Sequence, residues 1–361
     1  MLNKNIDLSG KRVLVTGAAG FIGSALCREL LGRFKDIRIL GIDNMNDYYD
    51  VGIKEERLEE ITSLLGENNS ERFNFVKGSI ADRDVVDDAF KTFKPEVVVN
   101  LAAQAGVRYS IENPDAYIES NLIGFYNILE ATRHSYDGAD NSDYKGVLHL
   151  VYASSSSVYG SNKKIPYDVE DKVDNPVSLY AATKKSNELM AHAYSKLYGI
   201  PSTGLRFFTV YGPAGRPDMA YFGFTNKLVK GETIKIFNYG NCKRDFTYIT
   251  DIVEGVINVM QVAPSENENG VKYKVYNIGN NDPVNLLDFV DILQQELVSA
   301  GVLPEDYDFE AHKELVPMQP GDVEITYADV TPLQQDFGFK PATPLREGLR
   351  AFAKWYKEYY K

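Results

Sequence analysis

Cysteine is scarce. The 361-residue chain has two, Cys27 and Cys242, which excludes a disulfide framework. Cys27 falls in an apolar helical stretch and reads as a small buried hydrophobe. Histidine is equally thin. The four, His134, His149, His192 and His312, are scattered with no HExxH or Cys-His spacing, so no metal centre is expected. No apolar run approaches the roughly 18 residues that a membrane helix needs. Met1 to Gly10 is polar and too short for a signal peptide. Positive charge is in deficit: the net charge of −12 argues against broad binding to nucleic acid or an anionic membrane surface. An anionic ligand would have to be met by local Arg and Lys. These absences together leave a cytoplasmic enzyme as the expectation.

What is present is an ordinary globular composition, 44% hydrophobic and 25% charged, long enough for one large domain or two unequal ones. The first half alternates strand and helix patterns. Strands are predicted at Val13 to Val15, Ile37 to Ile42, Phe73 to Val76, Val97 to Val99 and Val147 to Tyr152. Helices are predicted between them, at Asp82 to Phe93 and at Asp115 to Arg133, the latter just after Pro114. Such alternation means βαβ units and a doubly wound parallel sheet of Rossmann type. The charged stretch from Asp47 to Asn69 reads as a largely helical, solvated excursion. After about Gly212 the regularity weakens. Short strands are predicted at Ile234 to Phe237 and Val275 to Ile278, and helices near Ile252 to Gln261, Leu286 to Ala300 and Pro344 to Tyr356. The division expected is a main domain over 1–212, to which a later strand and helix return, and a smaller, discontinuous lobe over 213–361.

The first chemical signal is Gly17-Ala18-Ala19-Gly20-Phe21-Ile22-Gly23, directly after the first strand and opening a helix. Glycines at this spacing permit a tight turn, a close backbone approach to a pyrophosphate and close helix–strand packing. The helix N-terminus offers free N–H groups to the phosphates. Asp43 ends the next strand, where its carboxylate can accept hydrogen bonds from ribose hydroxyls. The following run, Asn44-Met45-Asn46, has no arginine for a 2′-phosphate, so NAD is favoured over NADP.

The second signal is Tyr180-Ala181-Ala182-Thr183-Lys184. On a helix the phenol and the ammonium share one face. A nearby ammonium would lower the phenol's pKa, fitting it to take a proton from a hydroxyl as a hydride leaves the same carbon. Taken alone, the spacing means only a surface helix pair, since the chain has 24 tyrosines. Its value comes from its place downstream of Ser154-Ser155-Ser156-Ser157, a hydroxyl-rich strand end. In doubly wound sheets ligands sit at such carboxyl ends.

The glycine spacing, GxxGxxG after Thr16, resembles the short-chain dehydrogenase/reductase superfamily in its extended form. Further stretches carry the resemblance over nearly the whole chain: Ala102 to Ser110, Ser154 to Gly160, Tyr180 to Lys184, Arg206 to Ala220, Arg244 to Tyr248 and Met318 to Val323. The sequence is similar to nucleotide-sugar 4-epimerases, and among them to the UDP-glucuronate 4-epimerases. That resemblance implies an NAD-binding domain and a sugar-nucleotide lobe. It implies Tyr180 as acid and base, Lys184 on the nicotinamide ribose and Ser155 assisting Tyr180. NAD contacts are implied at Gly17, Gly20, Phe21, Ile22, Gly23, Asp43, Asn44, Ser79, Ile80, Leu101, Ala102, Ala103 and Gln104. Arg244 and Asp322 are implied as contacts to UDP, and a homodimer through helices matching Asp115 to Arg133 and Ser178 to Tyr198.

The resemblance also assigns Arg216 to a sugar carboxylate, with Ser156, Ser157 and Thr209 lining the same pocket. A guanidinium can hold a carboxylate through two charge-assisted bonds. Read from the residues alone, the alternative is a loop Arg216 that pairs with Asp218 or faces solvent. Related 4,6-dehydratases carry an Asp-Glu pair just after the serine or threonine, and decarboxylases a glutamate. Here Ser156-Ser157 supplies no acid, which favours simple epimerisation. Two positions depart from the family pattern. Ser79 stands where an aspartate commonly meets adenine, and Asn100 stands where histidine is frequent.

Overall fold

A computed structural model describes residues 4–137, 143–318 and 324–360. Its centre is a seven-stranded sheet. The strands are β1 (Arg12–Thr16), β2 (Arg38–Asp43), β3 (Phe73–Lys77), β4 (Val97–Asn100), β5 (His149–Ser155), β6 (Ser202–Phe207) and, after three intervening strands, β10 (Tyr273–Ile278). Their order across the sheet is β3-β2-β1-β4-β5-β6-β10, and every pairing is parallel. The direction of the order reverses between β1 and β4, the switch point where ligands bind in such sheets.

Strand alternation explains the two layers. Val13, Val15, Val97, Val99 and Val151 face one side and pack with Leu26, Cys27 and Leu30 of α1 (Phe21–Arg33) and with Ile252 and Val256 of α9 (Ile249–Met260). Leu14, Ile42, Val98 and Leu150 face the other. There they meet α3 (Arg83–Phe93), α6 (Gly124–His134) and α7 (Leu179–Tyr198). With both faces covered, the central strands read as continuous apolar runs.

Three stretches differ from the sequence reading. The excursion at 47–69 is helical and solvated on one face only: α2 (Val51–Leu65) buries Ile53, Lys54, Arg57, Ile61 and Leu65 on the other. The helix expected at Asp115 to Arg133 is built from pieces. These are α5 (Pro114–Tyr117), a π-helical turn (Ile118–Ile123) and α6, with the separate short helix α4 (Tyr109–Glu112) before them. Strand β6 carries no apolar pattern at its start, because its first three residues are Ser202, Thr203 and Gly204. It is nonetheless fully buried. Thr203 Oγ1 pairs with the His149 ring on β5 at 2.8 Å, and Gly204 leaves room for the Tyr152 ring, whose hydroxyl would lie 2.6 Å from an added Cβ.

The remaining elements form a second lobe over the carboxyl ends of the sheet strands. It contains β7 (Thr209–Tyr211), α8 (Ala220–Val229), β8 (Ile234–Ile236), β9 (Lys243–Tyr248), β11 (Pro283–Asn285), α10 (Leu286–Ser299), β12 (Lys313–Leu315), β13 (Ile325–Thr326) and α12 (Leu345–Tyr359). Strand β9 joins β7, β11 and β13. The lobe has its own aromatic core, in which Phe246 stacks on Phe289 at 4.5 Å and Tyr221 meets Phe352 edge-on at 4.7 Å. Helix α11 (Thr331–Phe337) returns to pack on β10. No helix among the described residues is long and apolar enough to cross a membrane.

Candidate active site

The turn after β1 is shaped by its glycines. Gly17 has φ +70°, and a Cβ there would lie 2.8 Å from the Ala102 backbone nitrogen at the end of β4. A Cβ on Gly23 would fall 2.1 Å from the Gly17 carbonyl oxygen, so this face of α1 packs directly on the turn. Gly20 caps α1 with no side-chain bond, which leaves the first-turn amides of Phe21, Ile22 and Gly23 to an outside acceptor. Asp43, buried at the end of β2, accepts N–H bonds from Ala19 at 3.2 Å and Met45 at 2.9 Å. A backbone cradle that a side chain would fill, with a fixed carboxylate beside it, fits a dinucleotide such as NAD.

Other residues expected at the cofactor line this same end of the sheet. Asn44 is exposed and follows Asp43 directly. Ser79 accepts a bond from the Ala81 N–H at 3.2 Å. The Ile80 side chain is buried in the core, and its carbonyl accepts from Asn127 at 2.9 Å. Asn100 has a local role that explains its departure from histidine: the Thr16 hydroxyl donates to its Oδ1 at 2.7 Å, and Thr16 in turn accepts the Ala102 N–H at 3.2 Å. Leu101, Ala102 and Ala103 continue from there. Gln104 is held by the buried Asn121 of the π-helical turn, whose side chain bonds both its N–H (2.8 Å) and its carbonyl (3.1 Å).

Ser178 caps α7 by accepting the Ala181 N–H at 3.1 Å. Tyr180 therefore sits in the first turn and Lys184 one turn later. The expected electrostatics between them is not what the structure has. The Lys184 Nζ donates to the Ala153 carbonyl at 2.9 Å, and burial lowers its pKa to about 8. Burial pushes the Tyr180 phenol up, while the Ser155 hydroxyl beside it and the Arg216 guanidinium pull it back. The net shift is upward, so the protein alone holds Tyr180 as the neutral phenol. Ser155 ends β5 and caps the following 3-10 turn, accepting the Ser157 N–H at 3.1 Å, with its hydroxyl also 3.1 Å from Ser157 Oγ. Ser156 and Ser157 lie in that turn, and Thr209 opens β7 just past the end of the neighbouring β6.

Arg216 follows Ala214-Gly215, whose carbonyls are gripped by the fully buried Arg57 of α2 at 2.7 to 3.0 Å. The same guanidinium reaches the Ala19 carbonyl in the glycine turn at 2.9 Å. Arg57 thus joins the phosphate turn to the Arg216 loop. Arg216 pairs with Asp218, Nε to Oδ1 at 3.0 Å and Nη2 to Oδ2 at 2.5 Å. Burial works against its charge, but Asp218 more than offsets this and the net shift is upward. Tyr48 donates to Asp218 at 3.2 Å. The Tyr117 ring lies edge-on to Tyr180 at 6.0 Å. Sequence reasoning missed Tyr48, Arg57 and Tyr117. Only Asp218 had a signal, its spacing of two from Arg216.

Arg244, on β9, donates to the Lys243 and Glu324 carbonyls at 3.0 and 3.1 Å. It lies near Tyr167, whose phenol burial pushes up and the Arg244 guanidinium pulls only part of the way back. Its neighbour Asp245 is buried and binds three backbone N–H groups, of Asn280, Asn281 and Ala328. Asp322 lies outside the described residues. No cluster of three or more metal-type ligands occurs among the described residues.

Residues 13–279 match the model of the NAD dependent epimerase/dehydratase family. The chain is 48% identical to Protein CapI of Staphylococcus aureus, covering 97% of this chain and 99% of the relative. It is 42% identical to UDP-glucuronate 4-epimerase 2 of Arabidopsis thaliana, over 98% of this chain and 77% of that one. Among solved structures it is similar to the UDP-glucuronic acid 4-epimerase of Bacillus cereus in complex with UDP-glucuronic acid and NAD. The TM-score is 0.80 at 30% identity, covering 97% of this chain and 100% of that chain.

Proposed function

The chain belongs to the NAD dependent epimerase/dehydratase family, and on that premise we propose that it interconverts UDP-glucuronate and UDP-galacturonate by reversible oxidation at C4 of the sugar. The observation that carries this reading is the meeting of Tyr180, Ser155 and Arg216. The hydroxyl and the guanidinium both act on the one phenol. A hydroxyl-oxidising pair therefore sits beside a cation suited to a carboxylate.

NAD would rest on the Gly17–Gly23 turn, Asp43 and Lys184, and when bound it supplies the acceptor for the C4 hydride. As the phenolate, Tyr180 takes the C4 hydroxyl proton and returns it once the 4-keto sugar has turned over. Ser155 holds the same oxygen and favours the phenolate. Arg216, with Ser156, Ser157 and Thr209, holds the sugar carboxylate. That grip has a chemical purpose. Oxidation at C4 gives a β-keto acid, which loses CO₂ when the bond to its carboxylate lines up with the C4 carbonyl π-system. A carboxylate held out of that alignment keeps its carbon. With serines at 156 and 157, elimination has no general acid or base. Arg244 and Asp322 would meet the UDP, so residues 213–361 serve mainly the sugar nucleotide and 1–212 mainly NAD.

We assign the active form as a cytoplasmic homodimer through the helices at 115–133 and 178–198. Exposed Ile118, Ile123, Tyr126, Leu189 and Leu197 on these helices support that face. The net charge of −12 speaks against nucleic acid as a partner.

The Arg216–Asp218 pair supports one rival. If the pair served only the fold, the pocket would suit an uncharged hexose. Purified protein given UDP-glucuronate or UDP-glucose, with no NAD added, separates the two by NMR of the product. UDP-galacturonate is the expected product. Formation of UDP-galactose alone would overturn the assignment.

A further inference from the structure

Asp218 is not among the residues that sequence reasoning placed at the reaction, yet it governs how Arg216 is presented. A guanidinium has two edges that can hold a carboxylate, Nε with Nη2 and Nη1 with Nη2. Asp218 occupies the first completely, at 3.0 and 2.5 Å. Nη1 has no hydrogen-bond partner among the described residues, and Arg216 still lies close enough to Tyr180 to act on its ionisation. Asp218 is fixed in turn. Tyr48 donates to its Oδ2 at 3.2 Å, and the Tyr48 ring packs on Tyr109 at 4.6 Å. Gly106 makes room for this contact, because a Cβ there would lie 2.9 Å from the Tyr48 hydroxyl and 3.8 Å from Asp218 Oδ2. Its φ of +103° fits glycine alone.

The geometry points to Asp218, backed by Tyr48, as the positioning residue that aims the Nη1 corner of Arg216 at the carboxylate of a uronic-acid sugar. The inference rests on the function proposed above. Its chemical content is specific. An arginine on a loop loses considerable side-chain entropy when it is ordered by a ligand. Holding one edge in advance leaves the other preorganised, and a carboxylate gains from that where a primary alcohol does not. Asp218 also cancels the net charge of the pair. The substrate is therefore recognised by directed hydrogen bonds more than by a bare charge.

The test compares Asp218→Ala, Asp218→Asn and Tyr48→Phe in the NAD-loaded enzyme. KM and kcat are read with UDP-glucuronate and with UDP-galacturonate, and Kd is read with UDP, which has no sugar carboxylate. Asp218→Ala is expected to raise KM for both uronates about tenfold, with UDP affinity unchanged, as loss of uniform binding at the carboxylate. Asp218→Asn keeps one acceptor, so about a threefold rise is expected, and the same from Tyr48→Phe. Tyr48→Phe carries the test if the Asp218 variants do not fold. Equal losses for UDP and the uronates would make Asp218 merely structural and overturn the inference. So would tighter uronate binding in Asp218→Asn, which would mean that Asp218 competes for the fork. Failure of the underlying function shows earlier and separately, as a wild type that does not convert UDP-glucuronate.

Discussion

Arg206 on β6 lies flat against Glu188 on α7, with Nε to Oε1 at 2.8 Å and Nη2 to Oε2 at 2.9 Å, both side chains 3% exposed. Ser154 donates to the same carboxylate at 2.7 Å, and the third arginine nitrogen reaches the Tyr159 hydroxyl at 3.0 Å. The network ties the helix that carries Tyr180 and Lys184 to the strand end that carries Ser155. Arg206→Met would leave the buried Glu188 carboxylate with only Lys185, at 3.2 Å, and Ser154 as partners and is expected to destabilise the fold by about 3 kcal/mol. Urea unfolding measures it. Replacing both partners with apolar residues should restore much of the loss, and a single variant within about 1 kcal/mol of wild type would show that the pair is not what secures α7.

Ser155→Ala tests the electrostatics of the phenol. Burial raises the Tyr180 pKa and the Ser155 hydroxyl lowers it, so its loss moves the phenol further up. The base form then appears only at higher pH. The rising limb of kcat/KM against pH should move alkaline, and activity at neutral pH should fall about tenfold for every pH unit that the limb moves. An unmoved or acid-displaced limb would remove Ser155 from this role.

Arg57→Met probes the link between the two halves of the site. Three carbonyls, of Ala19, Ala214 and Gly215, would lose their donor. The expected cost is about 1–3 kcal/mol for each buried group left unsatisfied. Because one side chain grips both the glycine turn and the Arg216 loop, NAD affinity and uronate KM should worsen together. Isothermal titration with NAD and steady-state kinetics would show it, and a change in only one of the two would sever the link.

The parts legible in the sequence were those with a local cause. The glycine turn, Asp43 and the alternating apolar strands each announce themselves within about ten residues, and each stands where expected. Strand β6 escaped because Ser202, Thr203 and Gly204 are polar or small, and their burial depends on His149 and Tyr152 from another strand. Arg57 escaped for a similar reason. A charged helix gives no local hint that one of its arginines caps carbonyls more than 150 residues away. Helical spacing put Tyr180 and Lys184 on one face, but gave no sign of the ammonium's partner, the Ala153 carbonyl of another element.

His149 offers a pH test of the core. It is fully buried, and burial lowers its pKa from 6.5 to about 4. The folded state then binds fewer protons than the unfolded state between these values. Its contribution is complete above about pH 6.5 and is lost as pH falls toward 4. The loss amounts to about 3 kcal/mol, at about 1.4 kcal/mol per pH unit. Thermal melts of wild type and His149→Gln across that range should diverge at high pH and converge at low pH. Parallel curves would contradict the assignment.

The central claim is transient oxidation of one sugar carbon, with the same hydrogen returned to it. The most direct measurement uses UDP-glucuronate carrying deuterium at C4, incubated with the purified protein in ordinary water without added NAD, and NMR of the product. The account predicts UDP-galacturonate with the deuterium fully retained at C4. Label washed out into water, or recovered substrate with no galacto product, would contradict it.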